Sequence, residues 1–89
     1  MVWKIEYLKS IQKEVRKIDR TSQKKIREYL EEKVAKMENP RDIGKALKGE
    51  MKELWRYRIG DYRAICEIQD KAITVLVIQI GHRKNVYKK

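Results

Sequence analysis

Cysteine and histidine are nearly missing from this 89-residue chain. Cys66 is the only cysteine, so no intrachain disulfide can form, and with His82 as the only histidine the usual zinc ligand sets cannot be assembled. Long apolar runs are missing too. The longest uncharged stretch, residues 72–81, is far short of the ~20 residues that span a bilayer. The opening residues, MVWKIEYLK, have no apolar signal-peptide core and no small-residue cleavage site, so a cytoplasmic protein with no membrane partner is expected. Repeats, low-complexity segments and linkers are lacking, and the length predicts one domain over residues 1–89, too small to enclose a large substrate pocket.

Basic charge is what the chain has in excess. Lys and Arg number 23 against 13 Asp and Glu, a formal net charge of +10. Such a balance favours polyanions, or a protein with an acidic face, as partners. Residues 1–39 mix 11 basic with 7 acidic side chains at helical spacing, the pattern of a solvated face. In residues 40–89 arginine stands among hydrophobic residues at positions 56, 58, 63 and 83. Its planar fork grips phosphate, where lysine offers a point charge.

Periodicity predicts an α+β fold in the order βααβββ, a small, mostly antiparallel sheet packed on an N-terminal helical hairpin. Residues 2–7 alternate as a half-exposed strand. Leu8, Ile11, Val15 and Ile18 mark a first helix ending near residues 19–22, where Thr21 or Ser22 would cap the next. Ile26, Leu30, Val34 and Met37 mark the second helix, ended by Pro40 at Asn39. Residues 39–50 read as a loop anchored by Ile43 and Leu47. Residues 51–59, 62–69 and 72–81 read as strands, the last apolar on both faces over 73–80 and so central in the sheet. Gly60 and Asp61 predict a two-residue type II′ hairpin turn, and Asp70 with Lys71 a weaker turn.

That hairpin fixes a register in which Ile59 pairs with Tyr62, Arg58 with Arg63 and Arg56 with Ile65. Arg56, Arg58 and Arg63 then share one face, and Trp55, Tyr57, Ile59, Tyr62, Ala64, Cys66 and Ile68 share the other. Like charges directly opposite each other are unfavourable. Unless Glu53 or Glu67 neutralises them, the arginines form a site for an anion, most simply a phosphodiester. Arg83 and Tyr87 follow the last strand, and His82 precedes them. Taken singly, Tyr87 reads as an aromatic tucked on the core and His82 as an ordinary strand-end residue. Cys66, among residues meant to be buried, reads as structural.

The run Leu47-Lys48-Gly49, then residues 54–63 as L-W-R-Y-R-I-G-D-Y-R, then Ile80-Gly81-His82-Arg83 with Val86-Tyr87, resembles the RelE-type toxins of bacterial and archaeal toxin–antitoxin pairs. The order of elements matches along the whole chain, and the specific part is residues 47–87. The resemblance implies a ribosome-dependent mRNA endonuclease acting on the codon in the ribosomal A site. The 2′-hydroxyl attacks the adjacent phosphate and leaves a 2′,3′-cyclic phosphate and a 5′-hydroxyl. It also implies neutralisation by a cognate antitoxin with an acidic amphipathic segment, contact with operator DNA only through that antitoxin, and no metal or organic cofactor. Arg63 matches the arginine expected at the scissile phosphate, Arg83 the one expected to stabilise transition-state charge, and Tyr87 the C-terminal tyrosine that stacks on a base or assists proton transfer. Arg56 and Arg58 occupy positions that some members fill with lysine. A guanidinium with a pKa above about 12 cannot donate a proton as lysine does, so here they act by charge and orientation. Lys52, Lys84 and His82, with Arg56 and Arg58, are the expected RNA contacts. The general base is left open between His82 and Tyr87. A gyrase-directed toxin of the ParE type shares the same fold and operon logic, and a non-catalytic RNA- or ribosome-binding module would use the same basic face.

Overall fold

The computed structural model describes residues 2–47 and 54–82. Strand β1 (Lys4–Tyr7) leads into helix α1 (Lys9–Arg16) and helix α2 (Arg20–Arg27), which continues as a π-helical segment, Glu28–Val34. A 3-10 turn (Pro40–Asp42) precedes strands β2 (Lys45–Leu47), β3 (Leu54–Ile59), β4 (Tyr62–Gln69) and β5 (Thr74–His82). The five strands form one sheet in the order β1-β5-β4-β3-β2, with β1 parallel to β5 and every other pair antiparallel. This is the expected α+β architecture with one strand more than expected.

The cap of α2 is Asp19, in place of Thr21 or Ser22. Its Oδ2 accepts the Ser22 amide at 3.0 Å, which satisfies one of the donors a helix start leaves open and holds the carboxyl below the usual aspartate range. Ile26, Leu30 and Val34 are all buried. Their four-residue spacing overruns an α-turn of 3.6 residues. The wider i→i+5 turn takes up the surplus, and the Ala35 amide accordingly donates to the Leu30 carbonyl at 2.9 Å. Beside it the Trp3 amide donates to the Ala35 carbonyl at 2.7 Å, fastening the start of β1 to the end of this helix.

The stretch expected as a loop over residues 39–50 contains β2, which pairs Lys45 with Arg56, Ala46 with Trp55 and Leu47 with Leu54. Ile43 packs against the core as expected, whereas Leu47 stands on the opposite face of the sheet. The Tyr57 hydroxyl donates to the Pro40 carbonyl at 2.6 Å, and a Cβ on Gly44 would lie 3.0 Å from the Tyr57 ring. Only glycine lets the chain pass this close on its way into β2.

The β3–β4 register is the expected one, with Arg58 opposite Arg63 and Arg56 opposite Ile65. Gly60 has φ +60°, and Asp61 is not among the positive-φ residues, as a type II′ turn requires. The second turn occupies residues 70–73 and places Ile73 at φ +48°. Strand β5 is interior, flanked by β1 and β4, and β4 holds the middle place. Its apolar run is explained by a bulge. Ile65 pairs with Gln79 and Cys66 with Val77, so Ile78 is the extra residue, and Val75, Val77 and Ile80 all reach the core despite their uneven spacing. That core also takes Trp3, Ile11, Val15, Tyr57, Ile59, Ala64, Cys66 and Ile68. Burial of a side chain of this size contributes roughly 1.5–3 kcal/mol.

Candidate functional site

With the helices on one side, the pairing lays out the other side of the sheet in rows across the strands. The row nearest the Gly60 hairpin runs Arg58, Arg63, Gly81, and the next runs Lys45, Arg56, Ile65, Gln79. Behind them lie Leu47, Leu54, Glu67, Leu76 and Glu6, then Gln69, Thr74 and Lys4. Positive charge is therefore concentrated at one end, with Ile65 buried between Arg56 and Gln79 as an apolar floor. Arg58 is exposed, and Arg56 and Arg63 are half-buried. Gly81 opposite Arg63 has no side chain, so β5 raises no wall beside that guanidinium. The hairpin fixes the separation of Arg58 and Arg63, and a two-residue turn leaves little slack. Such an arrangement holds cations on an unmoving base, which is what phosphate recognition by position and charge requires.

Lys45 belongs to this surface and was not expected there. Its signal in the sequence depends on recognising β2, whose three residues are too few to show alternation. His82 falls elsewhere. It pairs with Tyr62 on the helix side, the two rings edge to face with centroids 5.6 Å apart and planes at 78°. It stands across the sheet from Arg56, Arg58 and Arg63, so the structure brings those three together without the imidazole. Arg83, Tyr87, Lys52 and Lys84 lie outside the described residues. Cys66 is fully buried, and burial pushes its thiol pKa up, away from the reactive thiolate. Among the described residues no three His, Cys, Asp or Glu side chains gather to hold a metal ion, and no helix is long and apolar enough to cross a membrane.

The far end of the sheet carries a different cluster. Arg41 makes two hydrogen bonds to the Asp70 carboxylate, at 3.2 and 2.7 Å, while its guanidinium lies 6.0 Å from the centre of the Trp55 ring. This clamp ties the turn before β2 to the β4–β5 turn and holds the Asp70 carboxyl below its usual range. On the helix side, the Tyr7 hydroxyl donates to Glu31 at 2.7 Å, and burial together with that carboxylate raises its pKa. Both clusters join elements and stand apart from the arginine rows.

Comparison with known proteins agrees with this architecture. A family model described as the ParE toxin of type II toxin–antitoxin systems, parDE, matches residues 5–87. Toxin RelG of Mycobacterium tuberculosis is 32% identical over 50 residues, a match spanning 56% of this chain and 58% of that protein. Among solved structures, the RelBE2 toxin–antitoxin complex of M. tuberculosis superposes with a TM-score of 0.83 at 20% identity, covering 96% of this chain and 95% of that one. The archaeal RelE–RelB complex of Pyrococcus horikoshii gives 0.77 at 20% identity, over 96% and 99% of the two chains. A mutant of Escherichia coli toxin RelE in the free state gives 0.77 at 24% identity, over 94% and 86%. The chain has the RelE fold and belongs to the ParE toxin family of type II toxin–antitoxin systems, within the RelE/ParE superfamily.

Proposed function

We propose that this toxin is a ribosome-dependent mRNA endonuclease that cuts the A-site codon and so stops translation. The observation that carries the reading is the pairing of Arg58 with Arg63 on the open face, extended by Arg56 and Lys45 in the next row. Two guanidinium groups held opposite each other on one hairpin present convergent positive charge, which suits an anion such as a phosphodiester. In the proposed reaction the RNA 2′-hydroxyl attacks the neighbouring phosphorus and the bond to the 5′-oxygen breaks, giving a cyclic phosphate and a 5′-hydroxyl. Charge builds on the non-bridging oxygens, where guanidinium groups act by position and electrostatics. Arg63 is assigned to the scissile phosphate, Arg83 to the transition-state charge and Tyr87 to the base or to proton transfer, as the family resemblance implies. His82 lies on the other face of the sheet, so proton transfer is assigned to Tyr87 in this scheme. No cofactor enters the scheme.

The partner that restrains this activity is proposed to be a cognate antitoxin with an acidic amphipathic segment, through which alone the pair reaches operator DNA. Solved relatives supply the precedent, being complexes of RelE with RelB. The matching family bears the ParE name, which favours a second reading as a gyrase inhibitor. Primer extension on a translated message after induction separates the two. Cuts in phase with codons support the endonuclease, and intact mRNA with a DNA-damage response supports gyrase inhibition.

A further inference from the structure

The end of the sheet that carries the arginine row has a second surface on its other side. There Tyr62 and His82 form an aromatic corner, edge to face. They line an open cleft of about 270 Å³ with Ile18, Gln79, Ile80 and Gly81, and its charged lining is Lys17 and Glu14. On the other flank of Tyr62 a smaller cleft of about 140 Å³ is lined by Ser22, Lys25, Ile59, Gly60 and Asp61, so that one lysine and one carboxylate face it. Sites that enclose a drug-sized ligand run to ~300–1,000 Å³, so each cleft suits a group the size of one base or one phosphate. Lys17 lies 3.8 Å from Glu14, but both side chains are exposed. Such a surface pair is weak and leaves the ammonium able to meet a phosphate. Gly81 is common to both sides: it is the cross-strand neighbour of Arg63 and also a wall of the cleft.

We infer that this cleft is a nucleotide subsite, in which an RNA base stacks in the corner of Tyr62 and His82 while Lys17 and Lys25 hold its phosphates. The inference rests on the RNA reading above and extends it. A strand crossing the arginine row turns over the bare backbone at Gly81 and lodges its next nucleotide on the helix side. Aromatic rings framed by cations are the usual means of holding single strands, because every base has a π-face whatever its sequence. An acidic peptide would use the lysines but has no planar group for the corner.

The test is an NMR titration of the full chain with the trinucleotide ApApA, 2′-O-methylated so that it cannot be cut. A triglutamate peptide is the second probe. Expected are nuclear Overhauser contacts from adenine protons to the Tyr62 and His82 rings, and a Kd weakened about tenfold in His82→Ala. Lys17→Ala, at an exposed position, serves should His82→Ala fail to fold. It is expected to weaken binding and to lower the salt slope by about 0.7. Shifts confined to the arginine rows overturn the cleft and leave the RNA reading standing. Absence of any shift overturns the cleft, and primer extension then decides the RNA reading by itself. Triglutamate moving the Tyr62 and His82 signals where ApApA does not would assign the cleft to an acidic protein segment, and likewise overturns it.

Discussion

Arg63 stands between Arg58 on one strand and Gly81 on the next, so its replacement removes one of the two cations of that row from the face opposite the helices. Arg63→Ala is expected to abolish growth arrest and codon-phased cleavage while the protein stays folded. Relief of repulsion across β3 and β4 is expected to raise stability by a few tenths of a kcal/mol, the scale of one cross-strand pair. Growth arrest and thermal melts on the same preparation check both halves. A mutant that still cleaves at the wild-type rate removes Arg63 from the site. Ile73 shows the opposite economy of placement. A β-branched residue at φ +48° is strained by roughly 1–2 kcal/mol, and the residue is 36% exposed. Ile73→Asn, which tolerates that conformation, is expected to stabilise the protein by about 1 kcal/mol. Denaturant midpoints at constant m-value measure it. Nothing in the residues 70–73 announces this strain, since a sequence pattern favours turn residues there and cannot see that β1 and β5 fix where the turn must end.

At the scale of elements, the short pieces are the ones that depend on single contacts. β2 is placed by Gly44 passing against Tyr57 and by the Tyr57 hydroxyl on Pro40. Gly44→Ala is expected to push the ring aside and cost about 1–3 kcal/mol, and Tyr57→Phe to cost about 1–2 kcal/mol by stranding a buried carbonyl. Either change should loosen Lys45 from the arginine rows, which amide exchange across β2 would register. The Arg41–Asp70 clamp and the Asp19 cap give a pH dependence of known sign. Both carboxyls titrate below the ordinary aspartate value of about 3.9 because their charged forms are hydrogen-bonded in the native state. Their contribution is complete above that value and is lost as pH falls through the lower, folded ones. Melting temperatures of Asp70→Asn should therefore lie below wild type at neutral pH and converge with it only as pH falls through the lowered, folded-state value. Much of this level was legible. The hairpin register followed from Gly60 and Asp61 because a two-residue turn leaves one pairing. β2 was illegible, as three residues, K-A-L, show no period, and the bulge at Ile78 was hidden because an all-apolar strand reads the same in either phase.

At the scale of the molecule, the net charge of +10 was readable at once, but where it is concentrated required the register. The arginine rows were legible because one hairpin builds them. The position of His82 was not, since the bulge in β5 decides which face it joins and so separates it from the arginines. The parallel pairing of β1 with β5 has a consequence for how the toxin comes into being. Among the described residues, β1 has its only sheet partner in β5, and β4, which carries Arg63, pairs with that same strand. A nascent chain halted before Thr74 therefore has neither a seat for β1 nor a closed core, and contacts of such long sequence separation form late. Ribosome-bound chains truncated at Ile73 are expected to be cut readily by protease, and chains extended well beyond His82 to resist it. A growing chain thus has no assembled toxin fold to present until β5 has been made.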